Sequence, residues 1–122
     1  MTTSMYPTEH GAATLDFSAE SATAFGAGKE LIGAELLWGA VAHSLIAAAQ
    51  QRGLQHENHR DFRRVAWRVK EETGDTEIWT GFKAAEQLHV YFYHRRMFGD
   101  YNLTTARHAA NYCVGRLLSL LG

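Results

Sequence analysis

Hydrophobic residues along this chain recur at spacings of three and four, the period of a helix, and nowhere hold the two-residue alternation of a half-buried strand over a useful length. The longest stripe lies in residues 30–52, where Leu31, Ala34, Trp38, Val41, Leu45, Ile46 and Ala49 share one face. Ile32, Leu36, Ala40, His43 and Ala47 line the opposite face. A helix apolar on two sides is a sandwiched helix, so this one is expected in the middle of a bundle. Gly53 stands where such a helix ends in the left-handed backbone that glycine adopts without strain.

A third helix is expected over residues 59–73, capped by Asn58 and ended by Gly74, with Phe62, Val65, Ala66 and Val69 facing the core. A fourth runs from an Asp75 cap to about residue 97, and residues 98–102 form a turn. The last, over residues 104–121, carries Ala106, Ala110, Cys113, Val114, Leu117 and Leu121. Ahead of these, Phe17, Ala24 and Phe25 mark a shorter helix over residues 16–27, and residues 1–14 read as a flexible tail. Short connections make sequential helices antiparallel neighbours. The expected fold is all-α: an up-and-down bundle of four long helices plus a short N-terminal helix, with residues 15–122 forming one domain.

The fourth helix has more apolar surface than one core needs. Ile78, Phe82, Ala85, Leu88 and Phe92 occupy one arc, and Trp79, Val90, Tyr93 and Met97 widen it to roughly 200°. About half of that serves a one-sided helix. A second surface is therefore expected, a homodimer joined through Trp79, Val90, Tyr93 and Met97.

Composition narrows the classes. At 122 residues and 46% apolar content, the chain can build a real core. A net charge of −1 argues against binding nucleic acid by bulk charge and requires a local basic face for that function. The single Cys113 allows neither an intrachain disulfide nor a cysteine-based zinc site. No uninterrupted apolar run approaches the roughly 18 residues of a membrane span. The N-terminal stretch lacks the basic and apolar regions of a signal peptide. The expected compartment is the cytoplasm, without membrane contact, and nothing in the sequence calls for a cofactor.

A local basic face exists. Residues 60–70, RDFRRVAWRVK, set five basic residues against one acid, a local charge of +4. Arg60, Arg64, Trp67 and Glu71 share the outer side of the helix, with Arg63 and Lys70 beside them. An indole among guanidiniums is a surface that stacks a base and holds a phosphate. The competing reading is a solvated face, its tryptophan covered by arginine stems or a partner subunit.

Histidines raise the second question. Glu86 and His89 lie three apart, as in half of a di-iron carboxylate site, but no second Glu-x-x-His follows. No metal site is expected, and His89 reads as a buried histidine bonded to Glu86 or a tyrosine. Glu35 is the other inward carboxylate. His43, Glu86, His89 and Tyr93 are the candidate lining of a ligand pocket. The cluster His56, Glu57, Asn58 and His59 reads as capping and surface.

Three runs, AELLWGAVAHSLIAAAQQRG, HENHRDFRRVAWRVKEETG and AAEQLHVYFYH, resemble the PaREP1-like branch of the HEPN superfamily over about residues 17–120. The matching features are Leu37-Trp38-Gly39-Ala40, Ala42-His43, His59, Ala85, Leu88-His89 and Phe92-Tyr93. The resemblance implies a four-to-five-helix bundle, commonly homodimeric, in a superfamily with roles in RNA cleavage, toxin–antitoxin pairs and nucleotide-linked defence. Its catalytic members carry Arg-x(4–6)-His. Here no histidine stands at that distance after Arg95 or Arg96, and Arg52 to His59 fits the spacing only across a helix end and a loop. No catalytic residue is therefore assigned. The expected function is a non-catalytic, homodimeric binding module contacting RNA, a nucleotide or a partner protein. The alternative is an enzyme, either metal-dependent, with metal near Glu86 and His89, or a residual ribonuclease, with His94, Arg95 and Arg96 as its candidates.

Overall fold

A computed structural model describes residues 7–96 and 102–121, with the side chains from residue 9 onward in the first helix. The described residues form an all-α bundle of five helices: α1 Pro7–Gly26, α2 Glu30–Arg52, α3 His59–Thr73, α4 Thr76–His94 and α5 Leu103–Leu121. No strand occurs among the described residues.

The stop and start signals of α2, α3 and α4 act as expected. Gly53 and Gly74 take left-handed backbones at φ 66° and 71° and end α2 and α3. Asn58 accepts from the Asp61 amide, and Asp75 from the Glu77 amide. Asp61 in turn accepts from the Glu57 amide, so both sides of the α3 start are tied.

The first helix is a correction. It begins at Pro7, so residues 7–14, expected as tail, are helical, and at 20 residues α1 is longer than α3. Proline suits the first helical position because its missing N–H has no partner there anyway, and Glu9 favours the positive end of the helix. The face that α1 buries is made of small and polar groups: His10, Gly11, Thr14, Ser21 and Ala24. Phe25 packs over Gly33 and Phe17 over Gly39, and the Ser21 hydroxyl donates to the Gly33 carbonyl at 2.7 Å.

Contact pairs give the helix directions. His10 meets His43 and Ser21 meets Gly33, so α1 and α2 are antiparallel. Asp75 meets Arg116 and Gly81 meets Ala109, so α4 and α5 are antiparallel too. The α2–α3 connection departs from the up-and-down order. Trp38 meets His59 and Arg52 meets Glu72, so α3 runs in the same sense as α2. Residues 53–58 double back along α2 to allow it. This places the start of α3 against the middle of α2 and beside the second half of α4.

α2 packs against all four other helices. By length and mean hydropathy it also meets the requirement for a membrane span, although polar residues interrupt its apolar runs. Here it is the central helix, with Leu37, Val41 and Leu45 fully enclosed. The expected second apolar face is only partly enclosed, since Ile32 is 50% exposed. Phe82, Ile78 and Leu88 of α4 and Leu117 of α5 complete the core, each burial contributing about 1.5–3 kcal/mol.

Candidate functional site

The α3–α4 surface carries the basic face. Val65, Ala66 and Val69 hold α3 to the core, which turns Arg60, Arg63, Arg64, Trp67 and Arg68 outward. Trp67 is 46% exposed. Its ring meets Trp79 of α4 edge to face, with centroids 5.2 Å apart. The two indoles lie in an open cleft of about 390 Å³ whose other walls are Arg63, Arg64, Arg68 and Glu71. Lys70 Nζ sits 3.9 Å from the Trp67 ring centroid, a cation–π contact that supports the ring.

The cations differ in commitment. Arg68 bonds Glu72 at 2.9 Å, Arg63 bonds Glu86 at 3.2 Å and Lys70 bonds Glu71 at 3.2 Å. These are exposed pairs of the kind that contribute little, so they yield readily to a phosphate. Arg60 and Arg64 have no carboxylate partner among the described residues.

One to two helical turns towards the α3 start lies an aromatic–histidine cluster. Trp38, 7% exposed, is its floor. His59 stacks on Trp38 with centroids 5.0 Å apart and planes 15° apart. His89 lies 5.3 Å from Trp38 and 5.3 Å from His59, and Tyr93 stands edge-on to His89 at 4.9 Å. His89 Nδ1 is 2.7 Å from Glu35 Oε1 across the α2–α4 boundary. The carboxylate accepts a hydrogen bond from the Nδ1–H and so fixes the ring's orientation.

The expected partner of His89 was Glu86 or a tyrosine, and Glu35 takes that place. Glu86 instead holds Arg63 and reaches Lys83 at 3.5 Å, so the Glu-x-x-His pair splits between two networks. His89 is half-buried rather than enclosed. Among the described residues no group of three or more His, Cys, Asp or Glu side chains converges as a metal site.

His43 leaves the proposed pocket altogether. Its Nδ1 lies 2.9 Å from His10 Nδ1 at the α1–α2 boundary, and its ring stacks on Phe17 at 5.1 Å. Only one proton fits between the two nitrogens, so one imidazole donates and the other accepts. Burial holds both below the ordinary histidine value, and His10 is lowered further by the neighbouring His43 and His56, with Glu9 opposing. Of the expected α4 interface, Trp79 and Val90 are half-buried, Tyr93 is 65% exposed and Met97 lies outside the described residues. His94, Arg95 and Arg96 are exposed at the end of α4, and Arg95 takes the left-handed backbone at φ 62°. Arg52 is bound to Glu72 and to the Ala48 carbonyl, while His59 stacks on Trp38. Cys113 is enclosed, and burial pushes its thiol up to about 12, which removes it as a nucleophile.

The model of the archaeal PaREP1/PaREP8 family matches residues 12–109. The chain belongs to this family. No curated protein and no solved structure matches it. The matched segment of this PaREP1/PaREP8 protein includes both the basic face and the histidine cluster. Sequence reasoning placed Arg60, Arg63, Arg64, Trp67 and Lys70 on one face, and the structure keeps them there. It missed the Trp67–Trp79 pair, Arg68 as a cleft wall, and His59 as part of a cluster. One signal for His59 was present: His59, Arg63 and Trp67 follow one another at i, i+4 and i+8.

Proposed function

We propose that this PaREP1/PaREP8 protein is a non-catalytic binding module whose α3–α4 face takes a single-stranded nucleic acid, RNA in the first place. The observation that carries the reading is the Trp67–Trp79 cleft walled by Arg63, Arg64 and Arg68. A base has a π-face to lay on an indole whatever its identity, and a guanidinium meets its phosphate with paired donors. The +4 charge of residues 60–70 supports the same ligand. The residue runs that resemble the HEPN superfamily are in keeping with it, and so is a cytoplasmic location.

Fluorescence anisotropy with a labelled oligouridine tests the reading. Affinity should fall linearly with salt on logarithmic axes, by about 0.7 per phosphate engaged, giving a slope of roughly −2 to −3 for three or four arginines. Trp67→Ala should weaken binding roughly 5- to 150-fold, the range for losing one stacked base. A salt-independent affinity, or one unchanged in Trp67→Ala, would remove the proposal.

The exposed Tyr93 favours a second reading, a homodimer closed along α4. Sedimentation of the wild type and of Tyr93→Ser decides it. A dimer that the substitution dissociates supports the interface, whereas a wild-type monomer leaves Tyr93 to the ligand.

A further inference from the structure

The basic face and the histidine cluster share one ridge. His59, Arg63 and Trp67 stand at successive i, i+4 positions on α3, one of the oblique rows a helix presents to a groove. Eight residues at 1.5 Å each put His59 and Trp67 about 12 Å apart along the axis. Both ends of this row are aromatic and each is backed by a tryptophan of another helix. Trp67 leans on Trp79 of α4, and His59 lies flat on Trp38 of α2. Midway stands Arg63, its side chain 54% exposed, held by one 3.2 Å contact to Glu86.

Platform, cation, platform is the order in which a strand presents base, phosphate and base. Stacked nucleotides rise 3.4 Å per step on one strand, so 12 Å spans roughly three to four steps, and fewer when the strand is stretched. The second platform is also built to stay in place. His59 is exposed, but Trp38 beneath it is buried, and His89 beside it is anchored by Glu35 at 2.7 Å.

Resting on the reading above, we infer that a strand seated on Trp67 and Trp79 continues along the α3–α4 seam to a second base subsite on the outer face of His59, which Trp38 backs from beneath, with Arg63 gripping a phosphate between. The footprint is then about four nucleotides, and a dinucleotide reaches only one subsite.

The test is the length dependence of binding, using labelled oligouridines of two, four and six nucleotides with the wild type, His59→Ala and His59→Phe. For the wild type, affinity should climb roughly 5- to 150-fold from two to four nucleotides, the contribution of one more stacked base, and then level off. His59→Ala should abolish the climb, so that four nucleotides bind no more tightly than two. His59→Phe, which keeps a flat ring on Trp38, should restore it. A tetranucleotide bound equally by wild type and His59→Ala, in a protein where Trp67→Ala still weakens binding, overturns the second subsite alone. Failure of the wild type to bind any length overturns the nucleic-acid reading and this inference with it.

Discussion

One glycine in a tight helix contact gives a sharp test of the bundle's packing. Gly81 of α4 faces α5 so tightly that a Cβ placed on it would sit 2.5 Å from the Ala109 carbonyl oxygen and 2.5 Å from the Cys113 Cβ. Non-bonded carbons prefer about 3.5–4.0 Å. Gly81→Ala therefore requires α4 and α5 to part by about 1 Å. One obstacle is backbone, so no rotamer change relieves it. Overpacking of this kind costs about 1–3 kcal/mol, and two contacts this short put it near the top of that range. Alanine's better helix propensity offsets about 1 kcal/mol. The net loss is about 2 kcal/mol. An unfolding entropy of about 2.1 cal/mol/K per residue over 122 residues turns this into a melting point lower by about 8 °C. Gly115→Ala is the matched control. Gly115 is exposed on α5 with nothing within 4 Å of its would-be Cβ, so the propensity gain acts alone and the melting point should rise by about 4 °C. Thermal melts followed by far-ultraviolet circular dichroism measure both. A Gly81→Ala protein melting at or above the wild-type temperature would refute the packing argument.

Three further outcomes follow from individual groups. The His10–His43 pair is held neutral by burial, so the unfolded chain takes up protons that the folded one refuses. Its contribution is intact above the ordinary histidine value of 6.5 and is lost as pH falls below it. Melting should therefore drop between about pH 7 and pH 5, and His43→Leu should shrink that drop; an equal drop in both proteins would contradict the pairing. Asp75 caps α4 and accepts from Tyr112 at 2.7 Å and Arg116 at 3.1 Å. These partners, Tyr112 foremost, hold its carboxyl below the ordinary 3.8, so the support is present above that value and fades as pH falls through the lowered one. Asp75→Ala should cost about 1–2 kcal/mol by denaturant titration at neutral pH, and a loss near zero would show the cap to be idle. Arg64→Ala should make the salt slope of oligouridine binding shallower by about 0.7, and an unchanged slope would show that Arg64 meets no phosphate.

The helices that carry the site were legible because their ends are marked. Asn58, Gly74, Asp75 and Gly53 each do one stereochemical job that follows from residue type alone. The start of α1 was hidden because its buried face is His10, Gly11, Thr14 and Ser21, which leaves no apolar stripe to detect. The direction of α3 was hidden too, since short connections suggest reversal and residues 53–58 instead run back along α2. Trp67 could be read as outward-facing from its place among arginines. Its pairing with Trp79 could not, because the partner is set by how α4 lies beside α3. His89 shows the same limit: Glu86 is its neighbour in sequence, while Glu35, 54 residues away, is its neighbour in space.

The most direct test of the nucleic-acid reading is a titration of isotope-labelled protein with oligouridine, followed through backbone amide and indole N–H resonances. The reading predicts that the largest shifts fall on residues 59–71 and on the Trp67 and Trp79 indoles, and that they diminish as salt is raised. Shifts confined to α1 and α5, or none at ligand excess, would contradict it.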